Sequence, residues 1–290
     1  MTDGANKTAL EAHEIRCILV GIEAAPEFVE TPALEYAISL AADCEASLSL
    51  YVFAPPPSAP WPMTTGSASA WLEDETERLE QQTAATTRAA SKLVSQAGVD
   101  LVAEHANALF EPRDARFVQL ARVHDVVIFD AAAAADSSGR RVIEDMLFDS
   151  GRPVVLIPRF AGNVSPRRIA IAWDGSARAA RAVKDALPFL IAADLVVAVT
   201  ITGEKDLSRM APGADLASYL ARHGIRNCKL ATLAGAGGDV AARLRLFVAE
   251  EDVEMIVMGA FVHSRFREAV LGGVTRSMLD DTPVPLFLSH

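Results

Sequence analysis

Apolar and polar residues follow two rhythms along this chain. Short apolar runs of about five residues read as buried strands, and stretches with apolar positions three and four apart read as amphipathic helices. The same succession occurs twice. "RCILVGIEAAPEFVETPALEYAISLAADCEASLSLYVFAP" opens the first copy and "RRIAIAWDGSARAARAVKDALPFLIAADLVVAVTITG" the second, each a strand, a loop, a helix and another strand. Later, "VHDVVIFD" answers "DVEMIVMG", and "MLFDSGRPVVLIPR" answers "SMLDDTPVPLFLSH". The copies run over residues 15–158 and 166–290, joined by the polar residues 159–165. The expected domains are therefore a tail over 1–14, one domain over 15–160 and a second over 161–290.

Strands that alternate with helical patterns build a parallel sheet with helices on both faces. Five strands per copy are expected, in the second copy near 168–173, 195–201, 228–233, 253–258 and 284–289. Ser176 is placed to cap a helix whose stripe is Ala179, Ala182, Val183, Ala186, Leu187 and Leu190. Asp239 is placed to cap another, with Leu244, Phe247 and Val248 on one face. In the first copy residues 54–71 form an insertion rich in proline, which argues against a regular element there. With Trp61 and Trp71 it reads as a surface loop, or as a lid over an apolar cleft for a small ligand.

At 290 residues and 51% hydrophobic content the chain supports two ordinary domains with sizeable cores. A net charge of −11 opposes nucleic acid and anionic membranes as partners. With no signal-peptide pattern and no long apolar run, a cytoplasmic location is expected. Three scattered cysteines, Cys17, Cys44 and Cys228, suggest neither a disulfide framework nor a metal site.

In an open parallel sheet, ligands bind at the carboxyl ends of strands where the strand order reverses. A flavodoxin-like order would place the first and fourth strands side by side there, bringing Asp174 next to Gly259. Beyond Gly259 comes the turn Leu271-Gly272-Gly273-Val274-Thr275 and then a helical pattern. Its glycines either turn a corner or let backbone amides approach a phosphate ahead of a helix N-terminus. Thr275 offers a hydroxyl, as donor or cap, and Arg265 or Arg267 a positive charge. Gly235-Ala236-Gly237-Gly238 is a weaker phosphate-loop candidate, because Val240 stands where G-x-G-x-x-G needs glycine.

These residues resemble the universal stress protein family in its tandem, two-domain form. The likeness rests on "IAIAWDGSARAARAV", "GGDVAARLRLFVAEEDVEMIVMGA" and "GAFVHSRFREAVLGGVTRSMLDDTPVPLFLS". It implies two five-stranded parallel α/β sandwiches, Rossmann-like or flavodoxin-like, of the adenine nucleotide alpha hydrolase-like kind. It also implies pairing through the last strand, so that the chain makes an intramolecular pseudo-dimer and leaves room for a homodimer. One branch of the family binds ATP, with Mg²⁺, through a motif of Gly, two residues, Gly, nine residues, Gly and then Ser or Thr. Here Gly259 and Gly272 match, whereas Val262 and Gly273 depart. The implied nucleotide contacts are Asp174, Gly259, Val262, His263, Arg265, Gly272, Gly273, Val274 and Thr275. A β-branched Val262 resists positive φ, so the loop is expected to differ locally.

The first copy carries Glu23 for the aspartate, Asp130 for Gly259, and Arg140 and Arg141 for the glycine pair, and no nucleotide is expected in it. The chain contains no G-x-S-x-G elbow, Walker loop or H-E-x-x-H helix, so no catalytic or metal-ligating set is assigned and at most slow ATP hydrolysis is expected. The expectation is a cytoplasmic stress-response protein that binds ATP or a related adenine nucleotide in its C-terminal domain. The alternative is a scaffold of the same fold that binds no nucleotide and acts through protein partners or another small ligand.

Overall fold

The computed structural model describes residues 15–55, 57, 68–105, 115–160, 164–202, 212–234, 239–260, 262–263, 270–271 and 273–290. The tail 1–14, Trp61, residues 235–238, Ser264, Arg265, Arg267 and Gly272 lie outside them. Two compact units emerge. One is Arg16–Ile128; the other is Phe129–His290 together with Ile15.

The unit Arg16–Ile128 contains β1 (Cys17–Glu23), α1 (Pro32–Cys44), β2 (Ser47–Phe53), α2 (Ala68–Gln96), β3 (Leu101–His105), α3 (Ala115–Ala121) and the start of β4 (Val126–Asp130). The strand order is β3-β2-β1-β4, with β1 and β3 both parallel to β2. Every residue from Ile18 to Ile22 is buried, the continuous apolar run of a strand covered on both faces. Thr31 starts α1 by accepting from the Leu34 amide at 3.3 Å, and Pro32 fits the first turn because its missing N–H is not needed there. The last four residues of the proline-rich insertion, 68–71, already belong to α2, which runs for 29 residues. Buried Leu79, Thr83, Thr86, Ala90 and Val94 recur along it at helical spacing. Buried His124 lies with Nδ1 2.6 Å from the Leu120 carbonyl and Nε2 2.8 Å from Ser49 Oγ.

The second unit takes the end of β4, then α4 (Ser137–Asp149) and β5 (Val154–Ile157). The second repeat follows: β6 (Arg168–Ala172), α5 (Ala177–Asp185), α6 (Leu187–Ala192), β7 (Leu195–Thr202), α7 (Gly213–Arg222), β8 (Cys228–Ala234), α8 (Val240–Glu250) and β9 (Met255–Gly259). A short hairpin, β10 (Val262–His263) and β11 (Val270–Leu271), precedes α9 (Gly273–Asp280) and β12 (Leu286–Ser289). The order is β5-β12-β9-β6-β7-β8. The five strands of the second repeat are mutually parallel, while β12 meets β5 antiparallel, Phe287 opposite Val155. Ser176 caps α5, its Oγ accepting from the Ala179 amide at 3.2 Å, and Asp239 caps α8 through the Ala242 amide at 2.9 Å. The expected stripe from Ala179 to Leu190 is buried throughout. It is carried by two helices, because Pro188 has no N–H to give to the preceding turn and the helix breaks at Ala186.

Candidate functional site

Strands β6 and β9 are hydrogen-bonded neighbours, Ala172 opposite Met258, and the strand order reverses between them. Asp174 and Gly259 therefore stand at adjacent strand ends. Past the end of β6, the Trp173 amide still bonds to the Val199 carbonyl at 2.8 Å, which holds the exit direction of the chain. Asp174 Oδ1 then accepts from the Ser176 amide at 3.0 Å, and Gly175 takes the left-handed conformation at φ 71° that this tight turn requires. Asp174 is half-buried, with its carboxylate directed by the turn into the start of α5.

Gly259 has a packing reason to be glycine. A Cβ there would lie 2.6 Å from the Arg178 carbonyl carbon and 2.7 Å from the Ala179 nitrogen, so the end of β9 runs against the backbone of the first turn of α5. The next residue, Ala260, is fully buried and its amide bonds to the Ser289 carbonyl at 2.8 Å. Val262 and His263 form β10, paired antiparallel with Leu271 and Val270. Extended backbone is what a β-branched residue prefers.

The helix after this hairpin begins at Gly273, which is exposed; a Cβ on it would meet nothing within 4 Å. Val274 is half-buried. Thr275 is 0% exposed, its side chain turned into the core from the first turn of α9 rather than toward solvent. The amino end of α9 thus offers open backbone at Gly273. At the other end of the same helix, Arg245 donates from Nε to the Asp281 carbonyl at 2.8 Å and from Nη2 to Ser277 Oγ at 2.8 Å. The C-terminal His290 packs edge-on to Phe148, ring centroids 5.0 Å apart, and burial together with Arg178 pushes its imidazole below the ordinary value.

The matching region of the first repeat is built differently. Glu23 is exposed, and the carbonyl of the following Ala24 accepts from Gln82 Nε2 of α2 at 3.0 Å. Beside it Tyr51, Phe53 and Phe117 pack ring on ring, with centroids 4.9 to 5.5 Å apart. Asp136 caps α4 through the amides of Ser138 and Gly139 at 2.7 and 2.9 Å. Arg140 donates to the Ala134 carbonyl at 3.1 and 2.8 Å and pairs with Asp280, while Arg141 faces solvent near Asp145. Gln82, Arg140 in this role and Arg245 were not legible in the sequence, since each acts on a carbonyl or carboxylate far along the chain.

Among the described residues no cluster of His, Cys, Asp and Glu could hold a metal ion, and no helix is long and apolar enough to cross a membrane. The arrangement can present a carboxylate and one left-handed turn to a ligand at the β6–β9 boundary.

No curated protein matches the chain. Among solved structures, a universal stress protein from Archaeoglobus fulgidus superposes with a TM-score of 0.64 at 14% identity, covering 94% of this chain and 97% of that one. A functionally unknown protein from Pseudomonas aeruginosa gives 0.60 at 14% identity, with 97% and 94% covered. At that identity the likeness is one of fold. The sequence itself matches the universal stress protein family over residues 166–290. The second repeat thus carries the universal stress protein family match, within a tandem α/β arrangement of two repeats.

Proposed function

We propose that the second repeat binds an adenine nucleotide, ATP with Mg²⁺, and that the chain is a cytoplasmic stress-response protein that works by binding, with at most slow hydrolysis. The observation that carries this reading is the adjacency of β6 and β9, which sets Asp174 beside Gly259 where parallel sheets bind ligands. Asp174 would accept from the base or sugar, and the exposed amides opening at Gly273 would face phosphate, aided by the positive end of α9. Gly272, His263 and Arg265 complete the proposed set. The first repeat takes no nucleotide in this reading, since Glu23, Asp130, Arg140 and Arg141 stand where the second repeat has Asp174, Gly259 and the glycine pair.

A second reading has its own support. Thr275 is turned inward and Val262 sits in an extended strand, and both remove contacts that a phosphate would use. A scaffold of this fold that acts through protein partners would show the same features. Isothermal titration with MgATP on the intact chain and on Gly272→Glu separates the two. One saturable site, lost in the variant while its circular dichroism is unchanged, is the expected result; no heat at millimolar ATP would leave the scaffold.

A further inference from the structure

We infer that Arg140, in the first repeat, is a positioning residue for the nucleotide cradle of the second: it braces the carboxyl end of α9, the helix whose amino end is the cradle. What the cradle holds rests on the nucleotide reading above; the brace rests on geometry.

Helix α9 has eight residues, little more than two turns, a length that is unstable in isolation and takes its position from tertiary contacts. Its buried Thr275, Met278 and Leu279 fix which face is down. The last-turn carbonyls of any helix lack partners within it. Here guanidinium groups act at that end, where positive charge also suits the helix dipole. Arg245 from α8 bonds to the Ser277 and Asp281 carbonyls. Arg140 from α4 pairs with the Asp280 carboxylate, and is itself aimed by two bonds to the Ala134 carbonyl at 3.1 and 2.8 Å.

The Arg140 side chain is 20% exposed, so its ion pair is screened less than one between two solvated groups. Its Nη1 is buried without a hydrogen-bond partner. The guanidinium is therefore oriented by Ala134 and Asp280 at the expense of its own full solvation. A two-turn helix held at one end moves as a rigid rod, so the brace sets where the Gly273 amides stand relative to Asp174 and Gly259. The same residue occupies, in the first copy, the position that Gly272 holds in the second. The substitution that spoils the first motif supports the second.

Amide hydrogen exchange on the full chain tests this directly, comparing wild type with Arg140→Met, Asp280→Asn, the double variant and Arg140→Lys. Exchange over residues 273–280 is expected to quicken about fivefold in each single variant, the upper range for a partly screened pair. The double variant should add nothing further, Arg140→Lys should recover part of the protection, and residues 16–128 should be unchanged. MgATP affinity should fall by the same factor. Protection over 273–280 that is unaltered in both single variants, or lost equally across residues 16–128, would overturn the brace. Absence of MgATP binding in wild type would remove the nucleotide reading while the exchange data still decide on Arg140.

Discussion

A methyl group on Gly259 would have to stand 2.6 Å from one backbone atom of α5 and 2.7 Å from another, and neither can rotate away. Gly259→Ala is therefore expected to cost about 1–3 kcal/mol, the usual range for overpacking, read as a lower urea midpoint with unchanged slope. An unchanged midpoint would mean that β9 and α5 separate more easily than their packing suggests. Because the glycine is needed for packing, a binding defect in that variant would say little about phosphate, which is why Gly272 is the better probe. Charge at the residue scale behaves differently. Burial pushes the Glu144 carboxyl above its ordinary 4.5, outweighing the opposite pull of Arg140, Arg276 and Arg141. The folded state then binds this proton more tightly than the unfolded chain, so stability is lost as pH rises from the ordinary value through the raised one. Glu144→Gln keeps the shape of the neutral acid. It should raise the melting temperature at pH 7 and lose that advantage below about pH 4, where the native carboxyl is protonated in both states. An equal gain at both pH values would show that ionisation is not what the substitution removes.

Elements were legible where local chemistry decides them. Ser176 and Asp239 could be named as caps because the Ncap bond spans only three residues, and both bonds are present. The five strands of the second repeat fall within about two residues of their expected positions, since in all but the half-exposed β8 an apolar run buried on both faces admits few other structures. Three features escaped. The break at Ala186 follows from Pro188, yet the apolar stripe continues through it and hides the change of helix. The insertion yields its last residues to α2, because proline at one end of a segment says nothing about the other end. The inward turn of Thr275 was equally out of reach: a threonine in a first helical turn can cap, donate or be buried, and only the rotation of α9 against the sheet decides. The hairpin of β10 and β11 stands between these cases. A glycine missing at Val262 signalled a different backbone, without revealing that the difference would be a pair of short strands.

At the scale of the molecule, the sequence repeat and the packing divide the chain at different places. The repeat changes at residues 159–165, whereas the compact unit that contains the second repeat begins at Phe129. The reason lies in β5. Its residues Val154, Val155, Leu156 and Ile157 are each at most 1% exposed, and they pair antiparallel with Leu286, Phe287 and Leu288, which are equally buried. An uncovered β12 would present an apolar edge with unpaired amides, a liability that parallel-sheet proteins cover. The last strand of one repeat covers the last strand of the other, so the joining segment is not what holds them. A protease site inserted within residues 159–165 tests this. After complete cleavage the two fragments should elute together in size exclusion at micromolar concentration and separate only in denaturant, because two buried strands exchange main-chain bonds and apolar surface that water would have to replace. Separation in native buffer would show that covalent linkage, and not the β5–β12 pair, keeps the repeats in register. The brace from Arg140 to α9 would then have to be lost in the cleaved protein as well, since α4 leads directly into β5.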